Sequence, residues 1–158
     1  MKAHRIGSLV VGCGLLAATL AAADAPANRV STSASTPMAI GARQETDLLS
    51  ATITTTDSES AVLVIVTLQL VYTGSPTHKE VEVRLVRDHV PLDAAYTARV
   101  GTAARAVSEL PVTLHTWDTP GPGQHTYVVQ ARSSDPGVEA TVRRLTILEW
   151  PSDTPAPR

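Results

Sequence analysis

The stretch at residues 110–132, LPVTLHTWDTPGPGQHTYVVQAR, restricts the fold more than any other. Its centre, Asp118-Thr119-Pro120-Gly121-Pro122-Gly123, can continue neither a helix nor a regular strand. Each proline fixes φ and removes a backbone donor, and each glycine admits positive φ. Beyond the loop, Tyr127, Val129 and Ala131 alternate with Thr126, Val128, Gln130 and Arg132, which is the two-residue period of a strand. The stretch predicts a long hairpin-like corner in an all-β domain, with the remaining segments built onto it as strands.

The rest of the chain supplies those segments. Residues 61–72, AVLVIVTLQLVY, set Val62, Val64, Val66, Leu68, Leu70 and Tyr72 on one face. The high density of β-branched residues argues against a buried helix here. Val81, Val83 and Leu85 alternate with Glu80, Glu82 and Arg84, and Tyr96, Ala98 and Val100 alternate with Thr97 and Arg99. Residues 51–56, ATITTT, are extended by propensity, residues 37–50 read as a short strand or irregular edge, and 102–109 as a loop. In the closing strand at 138–149, Val138, Ala140 and Val142 are out of phase with Leu145 and Ile147. A bulge at Arg143-Arg144 accounts for that switch. Polar Gly/Pro/Ser/Asp turns at 57–60, 74–76 and 133–137 separate these segments. Short strands at regular spacing predict an antiparallel β-sandwich, a jelly roll first and an immunoglobulin-like sandwich as the alternative.

The N-terminus reads as an export signal. Lys2 and Arg5 precede an uncharged run over residues 6–23, and Ala21-Ala22-Ala23 or Ala25-Pro26-Ala27 supplies the cleavage site, the pattern of a secretory signal peptide. A membrane anchor fits less well, since the apolar run is short and rich in Ala and Gly. Val10-Val11-Gly12-Cys13 also resembles a lipobox, which would anchor the protein through Cys13, yet apolar residues continue past it at Leu15, Leu16 and Leu20. The organisation expected is therefore a signal at 1–23 (cleavage alternatively after 27), a flexible leader at 24–36, one sandwich domain at 37–150 and a proline-rich tail at 151–158. No membrane span remains after signal removal, and the location is secreted or periplasmic.

Composition narrows the function classes. Of 158 residues, 43% are hydrophobic and 18% charged, a globular balance. A net charge of −2 argues against a nucleic-acid partner, which calls for a basic face. Aromatics reach only 3%, with no Phe. The core is thus aliphatic, Trp117 and Trp150 read first as core plugs and second as binding anchors, and sugar platforms are disfavoured. Cys13 is the single cysteine. A domain beginning after the signal holds no disulfide, thiol nucleophile or cysteine-bound zinc.

Little in the sequence carries chemistry. His115, Asp118 and His125 bracket the proline-glycine loop, and imidazole with carboxylate suits a divalent metal. Three loosely spaced residues fall short of a ligand motif, so each histidine reads first as an outward strand residue. There is no G-x-S-x-G elbow and no phosphate loop, and Glu80 with Glu82 reads as a solvated face. Arg84, Arg87, Arg99, Arg105, Arg132, Arg143 and Arg144 are interleaved with acids, which predicts cross-strand salt bridges, with a polyanion strip as the second reading.

Residues 81–92 (VEVRLVRDHVPL), 117–134 (WDTPGPGQHTYVVQARSS) and the terminal RRLTILEW resemble segments of jelly-roll domains in phage tail-fibre, virion-surface and bacterial exported proteins. The likeness spans residues 51–150 and rests on turn and strand patterns. His89 stands where the family pattern has Gly. Such domains are similar in shape to the trimeric heads of the complement and tumour-necrosis-factor superfamily, so the resemblance implies a homotrimer that binds through its assembled surface. It supplies no catalytic residues. The expected function is a non-enzymatic, cofactor-free structural or adhesive module with a protein or glycan ligand. The alternatives are a metal-dependent hydrolase using His115, Asp118 and His125, and a lipid-anchored envelope scaffold.

Overall fold

Alternation of buried and exposed side chains organises the structure, a computed structural model that describes residues 27–73, 79–100 and 107–150. The strands are β1 (Asn28–Ala34), β2 (Met38–Ala39), β3 (Thr46–Thr55), β4 (Ala61–Thr73), β5 (Lys79–Arg87), β6 (Val90–Val100), β7 (Val107–Asp118), β8 (Gly123–Ser133) and β9 (Val138–Trp150). In β4 the six residues from Val62 to Tyr72 that share a face are all buried. Tyr127, Val129 and Ala131 of β8 and Val81, Val83 and Leu85 of β5 meet them from the other side. Each fully buried Leu or Ile in such a layer contributes about 1.5–3 kcal/mol.

The strands form two sheets, ordered β1-β9-β4-β7 with β2 also on β9, and β3-β8-β5-β6. Taking β1 and β2 as one interrupted edge, the first strand pairs with the last. β3 then pairs with β8, β4 with β7, and β5 with β6, all antiparallel. This nesting is one long antiparallel ribbon rolled over on itself, the connectivity of a jelly roll. It differs from the ABED/CFG order of the immunoglobulin-like alternative. The β7–β8 corner accordingly joins two sheets and is not a hairpin within one.

Two stretches depart from expectation. Residues 28–34, inside the expected leader, form β1 along the full register from Asn28 opposite Glu149 to Ala34 opposite Arg143. Their small polar side chains sit on a sheet edge, where a strand needs backbone partners more than apolar ones. The bulge in β9 also lies earlier than Arg143-Arg144. Gln69 faces Val142 and Leu70 faces Ala140, which leaves Thr141 as the extra residue. The inward phase therefore resumes at Arg143. Val142, expected inward, is 47% exposed, and Arg143 is 3% exposed. The expected signal segment at 1–23 and the tail at 151–158 lie outside the described residues, as do the turn at 74–76 and most of the loop at 102–109.

This register has a direct consequence in unfolding experiments. Leu145→Ala, at a fully buried position, is expected to cost about 2–5 kcal/mol in urea denaturation. Val142→Ala is expected to stay within about 0.5 kcal/mol. Equal costs at the two positions would contradict the bulge.

Candidate functional site

Asp118 closes β7, and five residues later the chain has entered the other sheet as β8. Gly121 and Gly123 take φ of 80° and 135° within the turn, a region that side chains disfavour. The Gly121 carbonyl accepts hydrogen bonds from the Thr55 hydroxyl and from Nε2 of His125, the latter at 3.1 Å. Loop and flanking strands are thus fastened from both sides.

Asp118 sits among three strands. Its two oxygens accept from Nη1 of Arg87 on β5 at 2.5 and 2.6 Å, and Oδ2 accepts from the Tyr127 hydroxyl on β8 at 2.8 Å. Burial, reinforced by the Asp118 bond, pushes the Tyr127 phenol far above its usual range, with Arg87 opposing in part. A second cluster adjoins. His125 Nδ1 lies 2.7 Å from Oδ2 of Asp88, and Oδ1 of Asp88 accepts from the Thr126 amide at 2.8 Å. Both ring nitrogens of His125 face oxygen acceptors, so the two bonds coexist only in the doubly protonated ring. Burial raises the Asp88 carboxyl. The Thr126 amide, His125 and Arg87 outweigh it, and the net position is below the ordinary value. Asp88 and His89 form the β5–β6 turn with φ of 49° and 70°. Both central residues thus have the positive φ of a two-residue hairpin turn, with His89 taking a conformation that glycine adopts without strain.

The candidate metal triad does not assemble. Three positions separate His115 from Asp118, so they leave opposite faces of β7. His115 lies exposed on the outer face opposite Ile65, while Asp118 and His125 are engaged in separate bonding groups at the sandwich end. Among the described residues no group of three or more His, Cys, Asp or Glu is placed to hold a metal ion. The outer face of the β3-β8-β5-β6 sheet carries the expected cross-strand ion pairs, Arg84 with Glu45 at 3.2 Å and Arg132 with Glu82 at 2.6 Å.

The outer face of the other sheet is different. Trp117 is 47% exposed and lies opposite Leu63, which faces Leu148 on its other side. The Trp117 ring is tilted at 54° against Trp150 with centroids 5.5 Å apart. Trp150 is buried, as a core plug would be; Trp117 is not. Its odd-numbered phase with His115, opposite to the inward-facing Val112, was the sequence signal for that exposure.

No protein-family model matches the chain, and no curated protein matches it in sequence.

Two outcomes are expected at the corner. Asp118→Asn weakens the pairing with a partly buried guanidinium and is expected to cost about 2–4 kcal/mol in chemical denaturation. Because the Asp88 carboxyl lies lower in the folded state, its stabilisation is complete above the unfolded value of 3.8 and disappears as pH falls through the folded value. Melting temperature is therefore expected to drop below about pH 4, and Asp88→Asn is expected to flatten that limb.

Proposed function

We propose that the protein is an exported, non-enzymatic binding module that acts through surface contacts. The observation that carries this reading is the outer face of the β1-β9-β4-β7 sheet, where a rigid strand presents an open Trp117 beside Leu63, Ile65 and Leu148. An aromatic ring fixed on a strand offers large contact area at low cost in side-chain entropy, the property of an interface anchor. The polar clusters at the corner serve the fold: Asp118, Asp88 and His125 are each bonded to neighbouring strands.

Export is part of the proposal. Among the described residues no helix is long and apolar enough to cross a membrane. The Ala27 amide donates to the Glu149 carbonyl at 2.9 Å, a bond that cleavage after residue 23 retains and cleavage after residue 27 removes. Intact mass of the protein as its producing cell processes it is expected to place the N-terminus at Asp24. An N-terminus at Asn28 would contradict this choice, and added diacylglycerol on Cys13 would shift the reading to a lipid-anchored scaffold. The resemblance to trimeric heads adds a homotrimer, which light scattering reports as three times the processed mass.

The binding reading is tested by screening protein and glycan panels with the processed chain and repeating each interaction with Trp117→Ala. A loss of about tenfold or more in affinity is expected. Interactions that all survive the substitution unchanged would contradict the assignment of this face.

A further inference from the structure

His125 stands at the end of the sandwich, in the inward phase of Tyr127, Val129 and Ala131 and opposite Ile53 of β3. Only 14% of its side chain is exposed. Its Nδ1 lies 2.7 Å from Oδ2 of Asp88 in the β5–β6 turn, and its Nε2 lies 3.1 Å from the Gly121 carbonyl in the β7–β8 loop. One imidazole thus spans two separate connections of the chain.

A neutral imidazole carries one N–H and one lone pair. The hydrogen stays on Nδ1, where the acceptor is a carboxylate and the bond is the stronger of the two. Nε2 then turns its lone pair on the Gly121 carbonyl oxygen, which sets two acceptors against each other at hydrogen-bond distance. Loss of the second proton therefore releases the loop on this side, and the Thr55 hydroxyl is left holding that carbonyl from the other. The first leg of the same loop, Asp118 and Thr119, lines an open recess of about 350 Å³ together with Ala61 and Trp117.

The charged and titratable groups around the ring are Asp88 and Arg87, 4.0 Å apart, His89 in the same turn, and Asp118 with Tyr127 beyond Arg87. β3 brings Ile53 and Thr55, neither of which titrates. The Asp88 carboxyl lies below its ordinary value, and Arg87 and Tyr127 lie above theirs. These three keep one charge state between about pH 5 and 8, the interval in which imidazoles change theirs.

We propose that His125 is a proton-dependent clasp. Charged, it fastens the β7–β8 loop to the β5–β6 turn and fixes the recess beside Trp117; neutral, it lets the loop go. The clasp follows from the geometry alone, while its consequence for ligands rests on the reading of Trp117 as a contact residue. A ligand at that face meets a pre-organised recess at mildly acid pH and a looser one above it, which weakens binding.

The test is a nuclear magnetic resonance titration of the processed protein over about pH 5 to 8. The Gly121 carbonyl carbon is expected to shift in one step that shares its midpoint with the His125 ring. Acrylamide quenching of the exposed Trp117 is expected to rise across the same step, over a constant background from the buried Trp150. His89→Gln is expected to keep both responses. His125→Gln, whose amide does not titrate, is expected to lose both. Should His125→Gln fail to fold, the wild-type titration decides alone. A Gly121 carbonyl that stays flat, or that follows the His89 ring instead, would overturn the clasp. A Gly121 step with unchanged quenching would overturn its reach to the recess. Neither result touches the reading of Trp117 as an anchor, which falls only if interactions survive Trp117→Ala.

Discussion

Asp118 ties the two sheets together at the point where the chain crosses between them. It belongs to β7 in one sheet, and its partners Arg87 and Tyr127 belong to β5 and β8 in the other. A rolled antiparallel ribbon pairs its strands in nested order, so a crossing between sheets that is free to slide would loosen every pair inside it. Within the partly buried setting, a carboxylate that receives a guanidinium and a phenol has its lone pairs satisfied on several sides, the condition under which such an ion pair is retained. The Asp88–His125 group, the Gly121 carbonyl and the Thr55 hydroxyl hold the adjoining turns against the same corner.

With that corner fixed, the two outer faces acquire opposite characters. On the β3-β8-β5-β6 sheet, Arg84, Arg132, Glu45, Glu82, Gln130 and Asp47 are joined by cross-strand bonds, which leaves the charges neutralised locally. On the β1-β9-β4-β7 sheet, Trp117 with Leu63 and Leu148 makes an apolar row. Arg144 lies opposite Thr67 on the same face, four positions beyond Leu63 along β4. At about 3.3 Å per residue, that offset is roughly 13 Å along the strand.

Much of the fold was legible because burial and chemistry agree residue by residue. The six core residues of β4, the three of β8 and the turn at Asp118–Gly123 each follow from alternation or from backbone restrictions that act locally. Failures occurred where the structure depends on partners distant in sequence. β1 is held by backbone pairing to β9 more than a hundred residues away, and its Ser and Thr side chains carry only a faint pattern. The partners of Asp118 and the burial of Glu149 against the Ser60 hydroxyl are likewise set by topology. The bulge lies two residues before the expected Arg143-Arg144 because the apolar Val142 suggests an inward position and the charged Arg143 an outward one. A break in alternation beside paired arginines is the available signal for the burial of Arg143, whereas composition alone assigns both arginines to surface salt bridges.

The placement of that bulge governs which side chains of β9 enter the core and which face outward. The most direct measurement is the set of cross-strand nuclear Overhauser contacts between β4 and β9. Contacts are expected with Leu68 opposite Arg143 and Gln69 opposite Val142, followed by Leu70 opposite Ala140 with Thr141 skipped. A continuous ladder with Leu70 opposite Thr141 would contradict that placement.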